Sequence, residues 1–176
     1  PILSSADLNV WTKIWTDLSI STRQILGAEY LPLRDLSVWF DFVFFGDEWA
    51  GHHLTNLILY TLACVLFWAV LRQVFSPVRA LLASLFFALH PTHVESVVWL
   101  ASRKDTLSLV FVMAAVLTLL KGRSIWLVTT LTLAAYWSKN TAVTLAPILV
   151  SGSILIGKDS VSSVRWWLKW LPIVAV

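Results

Sequence analysis

Residues 53–74, HLTNLILYTLACVLFWAVLRQV, hold a single charged side chain, Arg72. A helix needs about 20 mostly apolar residues to cross a bilayer core of about 30 Å, and this stretch supplies them. Further apolar runs follow at 78–90, 106–120, 124–138, 140–156 and from Val164 onward. Of the 176 residues, 58% are hydrophobic and 13% charged, which leaves too little polar surface for a soluble domain of this length. The expected class is therefore an all-α integral membrane protein, a polytopic helix bundle with about five to six spans over residues 50–176. The chain opens at Pro1 without Met and closes inside the apolar LPIVAV, so a further helix upstream and more chain downstream are expected.

Trp is abundant, at 11 residues, and Trp49, Trp99, Trp126, Trp137, Trp166, Trp167 and Trp170 stand where apolar runs end. Amphipathic indoles favour the headgroup level, so these read as an aromatic belt. Cys64 is the sole cysteine, which excludes a disulfide scaffold and a cysteine metal site. The net charge of +3 is carried by scattered basic residues, and no nucleic-acid footprint is present.

Residues 1–49 read differently. Asp7, Asp17, Asp35, Asp41 and Asp47 interrupt every candidate span. Each such charge costs about 2.5–3.5 kcal/mol at a membrane helix centre. This segment is expected to be a loop with interfacial helices, Leu36 to Phe45 among them. The turns at 72–79, 121–123 and 157–165 fall on one side by parity and carry Arg72, Arg79, Lys121, Arg123, Lys158 and Arg165. Short basic loops face the cytoplasm. The 1–49 loop, the 90–105 connection and Lys139 then face the extracytoplasmic side.

The connection is the densest polar stretch: FFALHPTHVESVVWLASRKDTLSL, residues 86–109. The second span stops at His90-Pro91 or continues into VESVVWL. Thr92 and Glu95 have the spacing of a capping box. Val94, Val97, Val98 and Ala101 form one apolar helical face, opposite Glu95, Trp99, Ser102 and Arg103. Plain explanations exist for each group. Glu95 is a cap, Arg103 and Lys104 snorkel to headgroups, and Asp105 pairs with one of them. His90, His93 and Glu95 are ligand types that zinc accepts. Their spacing crosses a proline and is not HExxH, so no metal ligand is assigned, although a divalent metal stays open as a cofactor. Their density is the stronger signal, because ionisable groups at membrane depth are costly and usually functional. Arg and Lys beside a membrane suit a lipid-linked phosphate. A neighbouring carboxylate can take a proton from an attacking hydroxyl.

ALHPTHVESVVWLASRKDTLSLVF resembles a signature of the membrane-embedded O-mannosyltransferase-like proteins with C-terminal tetratricopeptide repeats, members of the GT-C glycosyltransferase superfamily. YLPLRDLSVWFDFVFFGDEWAGHHLTNLILY and YWSKNTAVTLAPIL are similar to two further segments of that family, in the same order over roughly residues 30–150. Matched positions are Tyr30, Pro32, His53, Asn56, His90, Pro91, His93, Glu95, Arg103, Asp105, Ser138 and Lys139. The resemblance implies a GT-C bundle whose first extracytoplasmic loop carries amphipathic helices. It also implies an inverting sugar transfer from a polyprenyl- or dolichyl-phosphate donor, in the bacterial inner membrane or the endoplasmic reticulum. The expected partners are the bilayer, that donor, and a protein acceptor or partner subunits. On the chemistry and the matches together, Glu95, His93 and Asp105 are the catalytic candidates. Arg103, Lys104, Lys139 and His90 are the donor-phosphate candidates, with Arg34, Asp35 and His53 as loop contributors. His90, His93, Glu95, Arg103, Lys104 and Lys139 are expected to converge on one extracytoplasmic cavity.

The chain departs from the family at Leu31 (Arg in the family), Asn140 (Glu) and Tyr60 (His). The family's acidic loop motif falls upstream of Pro1. The rival expectation is a non-enzymatic subunit that keeps the fold and scaffolds a larger complex. A transporter is disfavoured, because matching halves with Gly- or Pro-broken spans are absent from the sequence.

Overall fold

A computed structural model of the chain describes residues 8–144, and every regular element among them is helical. Three short helices come first: α1 (Leu8–Thr16), α2 (Ile20–Ile25) and α3 (Pro32–Phe45). Pro32 opens α3, where its fixed φ suits a first turn and its missing N–H is not needed. Gly46, at φ +57, closes it. Val10 and Ile14 lie one turn apart on α1 and pack on Leu36 and Trp39, one turn apart on α3. The longest of the three helices has 14 residues, too few to cross a bilayer.

Four apolar helices follow: α4 (Trp49–Leu71), α5 (Pro77–Ala88), α7 (Arg103–Leu120) and α8 (Ile125–Ser138). The short α6 (His93–Val98) and a 3-10 turn (Leu100–Ser102) lie between α5 and α7. At 23 residues α4 is about 34 Å long. Among the described residues it is the one helix long and apolar enough to cross a membrane. Helices α5 and α8 are apolar but shorter, and α7 begins with three charged residues, Arg103, Lys104 and Asp105. Leu57, Ile58, Leu62, Val65 and Trp68 of α4 are exposed, as side chains facing lipid would be. Helix α7 packs between α4 and α8. The contacts close through small residues: Ala63, Ala115 and Ala135 are fully buried. Apolar burial alone gives membrane helices no reason to associate, so close approach at small residues supplies the packing.

Several expected boundaries shift. The second span ends at Ala88 and does not run into VESVVWL. Pro91 removes a backbone donor and disfavours the helical region at His90. The amphipathic helix expected from Thr92 to Arg103 breaks at Trp99, whose backbone is extended, so Ala101 does not continue the face of Val94 and Val98. The capping box does not form. Thr92 is helical, and its hydroxyl meets His90 Nδ1 at 2.7 Å. The third span begins three residues early, at Arg103. The fifth span is described only as far as a 3-10 segment (Asn140–Thr144). The sixth span, the basic turn at 157–165, Asp7, Trp166, Trp167 and Trp170 lie outside the described residues.

Gly51 sits in the first turn of α4, where a Cβ would collide with the ring and Cβ of Phe45. Gly51→Ala is therefore expected to cost about 1–3 kcal/mol by overpacking, despite the better helix propensity of Ala. Thermal unfolding in detergent measures this, and a variant as stable as the parent contradicts the close approach.

Candidate functional site

The start of α4, the end of α5, α6, the start of α7 and the end of α8 meet at one end of the bundle. Tyr60 Oη donates to the Ala88 carbonyl at 3.0 Å, and Asn56 Nδ2 to the Val97 carbonyl at 3.3 Å. The centre of this end is Arg103, 1% exposed. Its guanidinium pairs with Asp41 Oδ2 of α3. Nε donates to Asn56 Oδ1 at 2.8 Å, Nη2 to the His52 carbonyl at 2.8 Å, and Nη1 to the Ser37 carbonyl at 3.3 Å. Asp41 also accepts from Thr55 Oγ1 at 2.8 Å and lies 3.4 Å from His52 Nδ1. Most donors of the Arg103 fork are thus engaged inside the protein.

Six of the candidate residues divide between two cavities, Arg34, Asp35 and Arg103 at one and His93, Asp105 and Lys139 at the other. One, of 460 Å³, is walled by Ile25, Leu26, Val38, Phe42, Trp49, Leu100 and Ala101 and edged by Arg34, Asp35, Asp47, His52 and Arg103. The other, of 450 Å³, is lined by His93, Ser96, Asp105, Ser108, Leu109, Val112, Lys139, Thr141, Ala142 and Thr144. Helix geometry explains the division. Arg103 and Asp105 are two residues apart on α7, so their side chains diverge by about 200° and cannot share a face.

In the second cavity Asp105 pairs with Lys139 and not with Arg103 or Lys104. The pair joins the SRKD and SKN segments. His93 lines the same cavity, its ring 4.3 Å from that of Phe87 and 5.8 Å from that of Tyr60. Lys104 instead meets Glu29 of the loop at 2.8 Å, an exposed pair of small energetic weight. Glu95 is exposed, and His90 holds Thr92; neither lines either of these two cavities. His53 is exposed, while its neighbour His52 is buried against Asp41. Among the described residues no group of three His, Cys, Asp or Glu side chains is placed to hold a metal ion.

Asp41 and His52 escaped the motif reading. A signal for Asp41 was present: it is a lone acid inside the aromatic run VWFDFVFF, where an unpaired carboxylate could not be buried. His52 offered no signal beyond adjacency, since His52 and His53 differ only in which face of α4 they occupy.

The loop carries a second buried charge cluster. Asp35, 1% exposed, accepts from Arg34 Nε at 2.6 Å and lies 3.6 Å from Arg23 Nη1. Arg23 in turn donates to the Lys13 and Ile14 carbonyls, both at 3.0 Å, tying α2 to α1. Burial pushes the Asp35 carboxyl up to about 6, against the pull of Arg34 and Arg23. Hydrogen bonds from Ser19 and Thr22 hold the exposed Asp17 down, at about 2.

Among curated proteins the chain is 28% identical over 131 residues to the protein O-mannosyl-transferase F38B6.6 of Caenorhabditis elegans, covering 71% of this chain and 19% of that one. It is 31% identical over 94 residues to the protein O-mannosyl-transferase TMTC3 of Mus musculus, covering 53% and 10%. It is 34% identical over 124 residues to the protein O-mannosyl-transferase Tmtc1 of Drosophila melanogaster, covering 66% and 14%. The chain thus spans less than a fifth of the length of each of these relatives. No protein-family profile matches it, and no solved structure does.

Asp35 yields a pH test. Its folded value is raised, so the folded protein keeps a proton that the unfolded chain has lost between 3.8 and about 6. Its contribution to stability is present below that window and is lost as pH rises through it. Relative to Asp35→Asn, which has no proton to lose, the parent should lose up to about 3 kcal/mol between about pH 4 and pH 7. Unfolding midpoints of both proteins across that range check this, and parallel curves contradict it.

Proposed function

We propose that this chain, a relative of the protein O-mannosyl-transferases, is the membrane part of a glycosyltransferase of GT-C type. The reaction is transfer of a sugar from a polyprenyl-phosphate donor to an acceptor hydroxyl on the extracytoplasmic side. The bilayer, that lipid-linked donor and a protein acceptor are the proposed partners. A multi-pass setting in the endoplasmic reticulum or the bacterial inner membrane suits such a donor. One observation carries the reading. His93, Asp105 and Lys139, from two of the three segments that resemble the family, line a single cavity at the polar end of an apolar bundle.

The chemistry this cavity can perform follows from its groups. Asp105 and Lys139 neutralise each other in the resting protein. A donor phosphate brings its own negative charge and competes with Asp105 for the ammonium of Lys139. Asp105, released, is then free to take the proton of the acceptor hydroxyl, with His93 of the same cavity as a second acceptor. The hydroxyl oxygen attacks the sugar's anomeric carbon. The bond from that carbon to the phosphate oxygen breaks, and its electron pair leaves on the phosphate beside Lys139. Arg103 serves the frame, because its donors are engaged by Asp41, Asn56 and two carbonyls. His90, Glu95 and Lys104 take no part in the step as drawn.

That engagement of Arg103 also favours the second reading, a non-enzymatic subunit that scaffolds a membrane complex. The most specific cation of the motif faces inward here, and Leu31 and Asn140 replace an Arg and a Glu of the family pattern.

The test is transfer of labelled sugar from a polyprenyl-phosphate donor by the full-length protein. The parent should transfer. Asp105→Asn should fall by about 10²–10⁴-fold in kcat. Lys139→Ala should weaken donor binding as well. No transfer by a parent shown to be folded rejects the enzyme and leaves the scaffold.

A further inference from the structure

Asp41 is the acid the motif comparison passes over, and it stands where one charge touches several elements. It belongs to α3 in the loop, and its partner Arg103 is the first residue of α7 in the bundle. Thr55 and His52 bind it from α4. Arg103 reaches Asn56, also on α4, and the Ser37 carbonyl of α3. Asp41, His52, Asn56 and Arg103 are all buried. Three helices therefore meet in one polar lock, and the lock ends on the turn that carries Asp105. Within that turn Asp105 is fixed relative to Arg103 by the helix itself, and Asp105 in turn holds Lys139 beyond the end of α8.

We propose that Asp41, acting through Arg103, is a positioning residue for the sugar-transfer site: it sets the first turn of α7 and so the place of Asp105 against Lys139. This rests on the sugar-transfer reading for its consequence in turnover, but not for its geometry. The physical ground is the cost of an unpaired buried cation. Without the Asp41 carboxylate, Arg103 loses its counter-ion and must turn toward other acceptors or the adjoining cavity, which shifts the first turn of α7. Misplacement of a reacting group by about 1 Å is enough to cost about 10²-fold in rate, even when the altered residue lies away from the chemistry.

The experiment uses the full-length protein in lipid nanodiscs with two readouts. The first is the rate at which each lysine reacts with an amine-acylating reagent, resolved by peptide mass spectrometry. In Asp41→Asn, Lys139 should react at least threefold faster than in the parent. Lys121, at the far end of α7, should be unchanged, which separates a local shift from general loosening. The second readout is sugar transfer, where Asp41→Asn should lower kcat at least tenfold without raising the donor KM, because a displaced Asp105 competes less for Lys139. If Asp41→Asn does not fold, Asn56→Ser decides. It removes the acceptor for Arg103 Nε without changing charge, and should raise Lys139 reactivity in the same direction by a smaller factor. Parent-like Lys139 reactivity in the folded variant overturns the proposal, as does parent-like kcat. Absence of transfer by the folded parent rejects the enzyme reading instead, and the lysine readout still judges the lock.

Discussion

A guanidinium with 1% exposure is an expensive thing to place in a bundle this apolar, and the Arg103–Asp41 pair is what makes it tenable. The effective desolvation penalty is several kcal/mol per ion, so the pair needs further hydrogen bonds to hold. It has them, from Asn56, Thr55 and the carbonyls of His52 and Ser37. Such a network does not beat a well-packed apolar core in stability. Its advantage is register. Apolar side chains in lipid slide past one another at little cost, whereas a buried ion pair has one arrangement in which all its partners are met. Loop helix α3 is held to the bundle in that arrangement. The edge-to-face contact of Trp15 with Trp137, at 5.0 Å, is a second attachment of the loop, and it lacks this directional demand.

The consequence for the site is a partition. The first turn of α7 is a wall with a cation on one side and a carboxylate on the other. The cavity on the Arg103 side is walled mostly by apolar side chains, and its Arg34, Asp35 and Arg103 are already in ion pairs. The cavity on the Asp105 side is richer in hydroxyls and holds the ion pair that joins the SRKD and SKN segments. A sequence motif that reads as one cluster, RKD, is thus spread around a helix: Arg103 to the lock, Lys104 to Glu29 at the surface, Asp105 to Lys139.

The long helices were legible because their signal is one of length and polarity, and α4, α7 and α8 begin or end within a few residues of their expected limits. The end to which Lys139 and the histidine motif belong followed from counting spans. What failed depended on local choices with near-equal energies. Trp99 interrupts an otherwise good helical face, because His90-Pro91 and the Arg103 lock fix both ends of a connection that one straight helix would not join. Thr92 had two partners within reach, and His90 won over the helix terminus. The partners of Arg103 are invisible to motif reading, because Asp41 lies 62 residues away and in the sequence reads only as a charge interrupting a loop segment. Of the residues expected to converge on one cavity, His90, His93, Glu95, Arg103, Lys104 and Lys139, only His93 and Lys139 line the same one; Arg103 borders the other, and His90, Glu95 and Lys104 line neither.

The central claim is that Asp41 and Arg103 are coupled, and a double-mutant cycle measures that coupling directly. The parent, Asp41→Asn, Arg103→Gln and the double variant would be unfolded in the same detergent and compared. A buried pair loses about 3–5 kcal/mol when one partner is removed, and most of that loss comes from the charge left behind. The double variant should therefore be more stable than the sum of the two single losses predicts, by about 2 kcal/mol or more, within the range seen for residues in one network. Losses that add to within about 0.5 kcal/mol, the behaviour of independent sites, would contradict the lock.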